Sequence, residues 1–253
     1  MFKKPIHLYI ATSTWFASTG AGESNRLQGE HAGSMDGDWN SLGKTLSSHF
    51  GTRRKVSLVL STAYCRFMVT PWVSSNYTHN SIRAHVIDTF ARNHGVTASS
   101  HHIRIHWPKY GAPVLAVGYP HHVLDALRTC LGQAGMTLAE ATASVFAIHR
   151  KYAPSLPSGD SLLAYAEDDG LAAITLEQGA LTQVEWLPAQ GTSNGLDGIE
   201  IWSSRKRFGF ADDQHMRWLA SSEMPSVFPG KLLQLKGMEQ AVSPAHAVVA
   251  ACQ

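Results

Sequence analysis

The stretch Pro113–Tyr152, PVLAVGYPHHVLDALRTCLGQAGMTLAEATASVFAIHRKY, decides the fold class by the way its hydrophobic pattern switches. Val114, Leu115, Ala116 and Val117 form a continuous apolar run, which reads as a strand covered on both faces. Pro120 then opens a helix, since the first N–H groups of a helix have no internal acceptor and a proline there loses nothing. Gly135 stops that helix, and a short strand, Thr137–Ala141, leads into a second helix ending near Tyr152. Ala153–Asp160, with Pro154, Pro157 and Gly159, is the best linker candidate. Beyond it Leu162–Tyr165, Ala172–Leu176 and Leu181–Leu187 are joined by Glu167-Asp-Asp-Gly170 and Gln178-Gly179, turn chemistry that makes an antiparallel meander. A strand-helix-strand-helix unit tied to a second sheet implies an α/β chain of two facing lobes.

Outward from this stretch, Pro5 opens a strand at Ile6–Ala11, and a second runs through Trp15, Phe16 and Ala17. Gly20–Gly37 reads as a hairpin plus loop, and Asp38 caps a helix reaching about Phe50 with Trp39, Leu42 and Leu46 at helical spacing. Val56–Leu60 is a buried strand and Cys65–Thr70 a neighbouring one that Pro71 ends. A helix with Ile82, Val86, Ile87 and Phe90 on one face stops at Gly95. Ile103 and Ile105 alternate with Arg104 and His106 in a half-buried strand, which Pro108-Lys-Tyr-Gly111 turns back into Val114–Val117. Toward the C-terminus come a loop at Gly191–Gly198, a helix at Leu196–Phe208 and short strands at Arg217–Ala220 and Leu232–Leu235. Ser243-Pro244 then opens a small-residue helix over 244–252.

With 253 residues, 44% of them hydrophobic, the chain can bury one large core or two lobes. A net charge of +2 gives no case for nucleic acid, and the short basic runs Arg53–Lys55 and Arg205–Arg207 read as solvated loop or helix-end charges. Cys65, Cys130 and Cys252 form no close pair, so buried free thiols in a reducing compartment are expected. After Met1-Phe2-Lys3-Lys4-Pro5 the apolar run Ile6–Ala11 is too short for a signal segment, and no long apolar run spans a membrane. The expected location is the cytoplasm.

No motif for catalysis stands out, and no catalytic residue is assigned. A Gly-x-Ser-x-Gly elbow is absent, and no cysteine has a sequence cue for thiolate activation. Glu167, Asp168, Asp169 and Glu177 read as a solvated hairpin end rather than an acid–base pair. Fourteen histidines raise the question of a metal, above all His101, His102, His106, His121 and His122. On a strand, His102 and His106 stand about 13 Å apart, too far to share an ion. His121 and His122 are adjacent at a helix start and point apart, so surface histidines and no metal are expected. The scattered tryptophans read as core or interface anchors. A peptide-docking edge is expected at an apolar groove between the first lobe's sheet and its neighbouring hairpin, with Val69, Pro71, Trp72 and Val73 as its apolar cluster.

In order and spacing these elements resemble the actin-like, ribonuclease H-like fold, mixed sheets flanked by helices, of the type IV pilus PilM and type II secretion GspL cytoplasmic-domain family. The pieces that carry the resemblance are Val56-Ser-Leu-Val-Leu-Ser with Cys65–Pro71, the helix Ser81–Gly95, Val114-Leu-Ala-Val-Gly with Ala134-Gly135-Met136, and the hairpin around Glu177-Gln-Gly-Ala-Leu181. It implies a first lobe at 1–152, with an inserted subdomain near 62–118, and a second at 153–253. The implied role is a non-catalytic scaffold, peripheral to the inner membrane, that binds the cytoplasmic tail of a membrane-spanning PilN-like or GspL/GspM-like partner or the motor ATPase. A homodimer is a further implied partner.

In nucleotide-binding relatives two Asp-x-Gly turns hold phosphates and magnesium. The first would fall at Tyr9-Ile10-Ala11, followed by Thr12, Ser13 and Thr14, and Phe16 stands where PilM-like proteins place a lysine. The second would fall at Tyr165-Ala166-Glu167, with Asp168, Asp169 and Gly170 just beyond. Both turns lack the aspartate and glycine, which implies a lost or weakened site and no cofactor. The alternative is an ATP–magnesium switch or slow ATPase using Thr12–Thr14 and Asp168–Gly170. A hydrolase with an unseen site is a third.

Overall fold

The computed structural model describes residues 4–20, 25–31, 39–72, 78–97, 99–107, 111–156, 158–167, 170–188, 216–219, 231–232 and 244–252. Strands β1 (Ile6–Ile10), β2 (Thr14–Ser18) and β3 (Arg26–Glu30) form an antiparallel ribbon. On the other side of β1, strand β4 (Lys55–Leu60) pairs in parallel, and β8 (Thr137–Ala143) pairs in parallel with β4. The continuous apolar runs at Ile6–Ile10 and Val56–Leu60 sit at the centre of this sheet, where Leu8, Ile10, Leu58 and Leu60 are fully buried. Helix α1 (Trp39–Phe50) covers it with Trp39, Leu42, Leu46 and Phe50. At Gly43 a Cβ would lie 2.7 Å from Cys130 Sγ and 2.8 Å from the Cys130 carbonyl oxygen on α3 (His121–Gln133). Only glycine lets the two helices approach that closely.

Between β4 and α3 a separate sheet is inserted. Its strands β5 (Arg66–Thr70), β6 (His101–His106) and β7 (Val114–Pro120) run antiparallel in the order β5-β7-β6. Helix α2 (His79–His94) is capped by Thr78, whose hydroxyl accepts from the Ser81 N–H at 3.2 Å, and ends at Gly95 with φ 62°. Ile82, Val86 and Phe90 of α2 pack on Met68, Val114 and Ala116.

Two expectations are corrected here. β5 does not neighbour β4: a 3-10 turn, Thr62–Tyr64, takes the chain into the inserted sheet before β5 begins. Nor is Gly20–Gly37 loop beyond its hairpin, because Arg26–Glu30 forms β3 at the sheet edge. Its polar sequence, RLQGE, suits a half-exposed edge strand and carries no hydrophobic alternation to read. The strand-helix-strand-helix unit is present as β7, α3, β8 and α4 (Ser144–Tyr152), yet β7 and β8 lie in different sheets.

After a 3-10 turn at Ala153–Ser155, β9 (Ser161–Glu167), β10 (Gly170–Glu177) and β11 (Ala180–Pro188) form the expected meander. Gln178 and Gly179 close the β10–β11 turn with φ of 50° and 77°. Strands β12 (Met216–Leu219) and β13 (Lys231–Leu232) extend this sheet in parallel beyond β9. The final helix, α5 (Pro244–Ala250), buries Ala245, Val248 and Val249 in the core that also holds Leu8, Leu58, Leu163 and Ile174, so one core runs through both five-stranded sheets. The loop expected at 191–198, the helix expected at 196–208 and the cap Ser243 lie outside the described residues. No helix among the described residues is long and apolar enough to cross a membrane.

Candidate functional site

Where the two large sheets meet, Glu167 is 4% exposed and reaches into the end of β4 and the start of α4. Its Oε2 accepts from Ser61 Oγ at 2.5 Å and the Thr62 N–H at 2.9 Å. Oε1 accepts from Thr62 Oγ1 at 3.0 Å and from Ser144 Oγ. Both lone pairs of each oxygen are thereby used. Around them the Tyr165 hydroxyl lies 3.1 Å from Ser144 Oγ and 3.3 Å from Thr62 Oγ1. Burial, and then the charge of Glu167, push the Tyr165 hydroxyl well above its ordinary pKa, so it stays a neutral donor. Ser61 carries the joint further, donating its N–H to the Ile10 carbonyl at 2.8 Å. Tyr64 donates its hydroxyl to the Ala11 carbonyl at 3.2 Å.

This overturns the reading of Glu167 as a solvated hairpin carboxylate. Tyr165-Ala166-Glu167 is strand rather than turn, with Glu167 paired to Gly170. The period-two pattern that buries Leu163 and Tyr165 also points Glu167 inward, and the serine and threonine that receive it are a hundred residues away in sequence. Thr12 and Ser13 occupy a turn in which the Ala11 N–H donates to the Thr14 carbonyl at 2.9 Å, and Phe16 is buried. Gly170 is explained by packing, because a Cβ there would lie 2.3 Å from the Leu187 carbonyl oxygen and 2.6 Å from the Trp186 ring. Asp168, Asp169 and Val73 lie outside the described residues.

The open feature lies elsewhere, between the main sheet and the inserted one. Among the described residues, β8 pairs only with β4 and β6 only with β7, leaving one unpaired edge on each. Two adjoining cavities of about 280 and 310 Å³ run between these strands and share Arg104, Glu140 and Ala141. A third, about 410 Å³, continues past His106, Phe146 and His149 to Trp107 and the tip of the β10–β11 hairpin. Alternation along β6 explains the lining: Ile103 and Ile105 pack toward α2, while His102, Arg104 and His106 line the cavities. The two cavities beside Arg104 are lined largely by basic and polar side chains, and the third, the largest of the three, is mainly apolar.

His7, His106 and His149 line this groove, and each has one ring nitrogen shut from solvent without a hydrogen bond. Desolvation holds all three below the usual histidine pKa. Of the five histidines singled out in the sequence, His106 is therefore half-buried rather than a surface residue. Of the others, His101 is half-buried, His102 and His122 are exposed, and His121 sits with its ring 6.1 Å from that of His102. Among the described residues no three His, Cys, Asp or Glu side chains converge on a metal-sized site. Cys252, on the groove wall, has its thiol pushed up to about 11 by burial, so it is no ready nucleophile. Val69 and Pro71 lie on and just after β5, at the opposite edge of the inserted sheet from β6, and Trp72 packs with the α2 cluster. None of the three lines the groove.

No family model matches the chain, and no curated protein matches it. Solved structures do. A chain of the PilM-PilN type IV pilus biogenesis complex superposes with a TM-score of 0.69 at 12% identity, covering 98% of this chain and 97% of that one. The cytoplasmic domain of EpsL, an inner membrane component of the type II secretion system of Vibrio cholerae, gives 0.60 at 12% identity over 98% and 93%. A Bacteroides thetaiotaomicron protein with an actin-like ATPase fold and unknown function gives 0.59 at 9% over 99% and 96%. The chain has the actin-like fold.

Proposed function

We propose that this chain is a docking scaffold of a type IV pilus or type II secretion assembly platform, holding an extended cytoplasmic segment of a membrane partner in the groove between β6 and β8. The observation that carries this reading is the pair of unpaired strand edges bordering one continuous set of cavities. An extended segment laid there gains main-chain hydrogen bonds and side-chain pockets together. The PilM-PilN complex among the matching folds supports a PilN-like partner. Through that partner the chain would sit at the cytoplasmic face of the inner membrane, and the motor ATPase or a second copy would bind other surfaces.

The scaffold works without nucleotide in this reading. At the joint, where a nucleotide-binding relative would seat phosphates, a carboxylate already takes up the hydroxyls of Ser61, Thr62 and Ser144 and would repel a phosphate brought beside it. The test is a photo-crosslinking residue at His102 in the full chain, expressed with the membrane proteins of its own assembly locus. A crosslink to the cytoplasmic tail of one of them is expected. Co-purification without a crosslink would move the docking site elsewhere, and absence of any membrane partner would sink the scaffold itself.

A further inference from the structure

Resting on that docking reading, we infer that the groove selects an extended segment bearing an acidic side chain and, about two or four residues along on the same face, a large apolar one. The two halves of the groove differ in chemistry. At one end Arg104 on β6 and Arg150 on α4 face the same cavity, with Glu140 on β8 as its only carboxylate among the described residues. Arg128, in the neighbouring cavity, is already engaged by Asp125 at 2.6 Å. The imidazoles of His7, His106 and His149 stay neutral there near pH 7, so the arginines supply the fixed charge. A carboxylate entering this cavity gains two guanidinium partners, whereas a lysine or arginine would be repelled by both.

At the other end, three residues further along the strand, the lining turns apolar. Trp107, Pro113, Leu115, Phe146, Ala180 and Leu181 enclose the third cavity. Trp107 is 38% exposed, the one large hydrophobic side chain left exposed among the described residues. Its ring centroid lies 3.9 Å from that of His79, which holds it in place, and a fixed aromatic wall of this kind is the usual anchor of a peptide site. His106, Phe146 and His149 line both this cavity and the one beside Arg104, so a single extended segment passes from one to the other. Main-chain pairing along the unpaired edge of β6 contributes affinity whatever the sequence, and the two end cavities contribute the choice.

The test is selection of a random dodecapeptide library on phage against the full chain, with counter-selection on an Arg104→Glu, Trp107→Ala double variant. Both substituted side chains are exposed, so the variant keeps its fold. Expected clones carry Asp or Glu about two or four residues from Leu, Ile, Met or Phe. They bind Arg104→Glu about tenfold more weakly, and peptides with Lys in place of the acid lose binding by a similar factor. No enrichment over the double variant overturns the inference, as do enriched clones that lack the acid or bind Arg104→Glu unchanged. A crosslinked membrane tail without an acidic residue would leave the docking reading standing and end this selectivity.

Discussion

The joint and the groove are built from the same kinds of polar residue and differ in what those residues have to bond with. At the joint, four donors converge on one carboxylate and fill its lone pairs. In the groove, two strand edges go unpaired and three imidazole nitrogens are buried without hydrogen bonds. A saturated polar cluster holds its elements in one arrangement, because any movement strands buried donors. Unpaired strand edges instead leave backbone donors and acceptors that an extended segment can take up. Stability is therefore concentrated where the two large sheets meet, and recognition where the inserted sheet faces the main one.

The largest effect separating the two regions should come from Glu167→Ala. It leaves the hydroxyls of Ser61, Thr62 and Ser144 buried without their acceptor, and should lower unfolding free energy by about 3 kcal/mol in urea. Tyr165→Phe removes only the outer hydroxyl and should cost about 1 kcal/mol.

A smaller effect is expected from acid. His7, His106 and His149 have folded pKa values below 6.5, so the unfolded chain binds protons more readily. Stability is then fully present above the unfolded value and lost as pH falls from about 6.5 through the lowered folded values. Urea midpoints between pH 7.5 and 5 should drop, and drop less in a His149→Phe variant. An unchanged slope would mean that burial does not hold the groove histidines neutral. Smallest for stability is Arg104→Ala, within about 0.5 kcal/mol, yet it should remove most of the partner crosslink. If it destabilises as Glu167→Ala does, the two regions do not divide the work.

Much of the fold was legible because its signals are local. The apolar runs at Val56–Leu60 and Val114–Val117, the glycine stop at Gly95 and the Gln178-Gly179 turn each fix an element without help from the rest of the chain. Sheet membership was not, since nothing in Cys65–Thr70 says that β5 will pair with β7 fifty residues on. The site was less legible still. Glu167 looks like half of an acidic turn until the strand period and the distant Ser61 and Thr62 show it facing inward. The docking edge was expected at Val69, Pro71 and Trp72 because they are hydrophobic; β5 and β6 both end the inserted sheet, but the cavities lie along β6, whose outward residues are histidine and arginine. Alternation of Ile103 and Ile105 with His102, Arg104 and His106 was the signal that could have found it.

Amide hydrogen exchange on the full chain, alone, with its membrane partner's tail and with ATP–magnesium, tests the division most directly. The tail should protect amides of β6 and β8, while Thr62 and its neighbours exchange slowly throughout and ATP–magnesium changes nothing. Protection by ATP–magnesium around Thr12–Thr14 and Thr62, with β6 and β8 indifferent to the tail, would contradict the account.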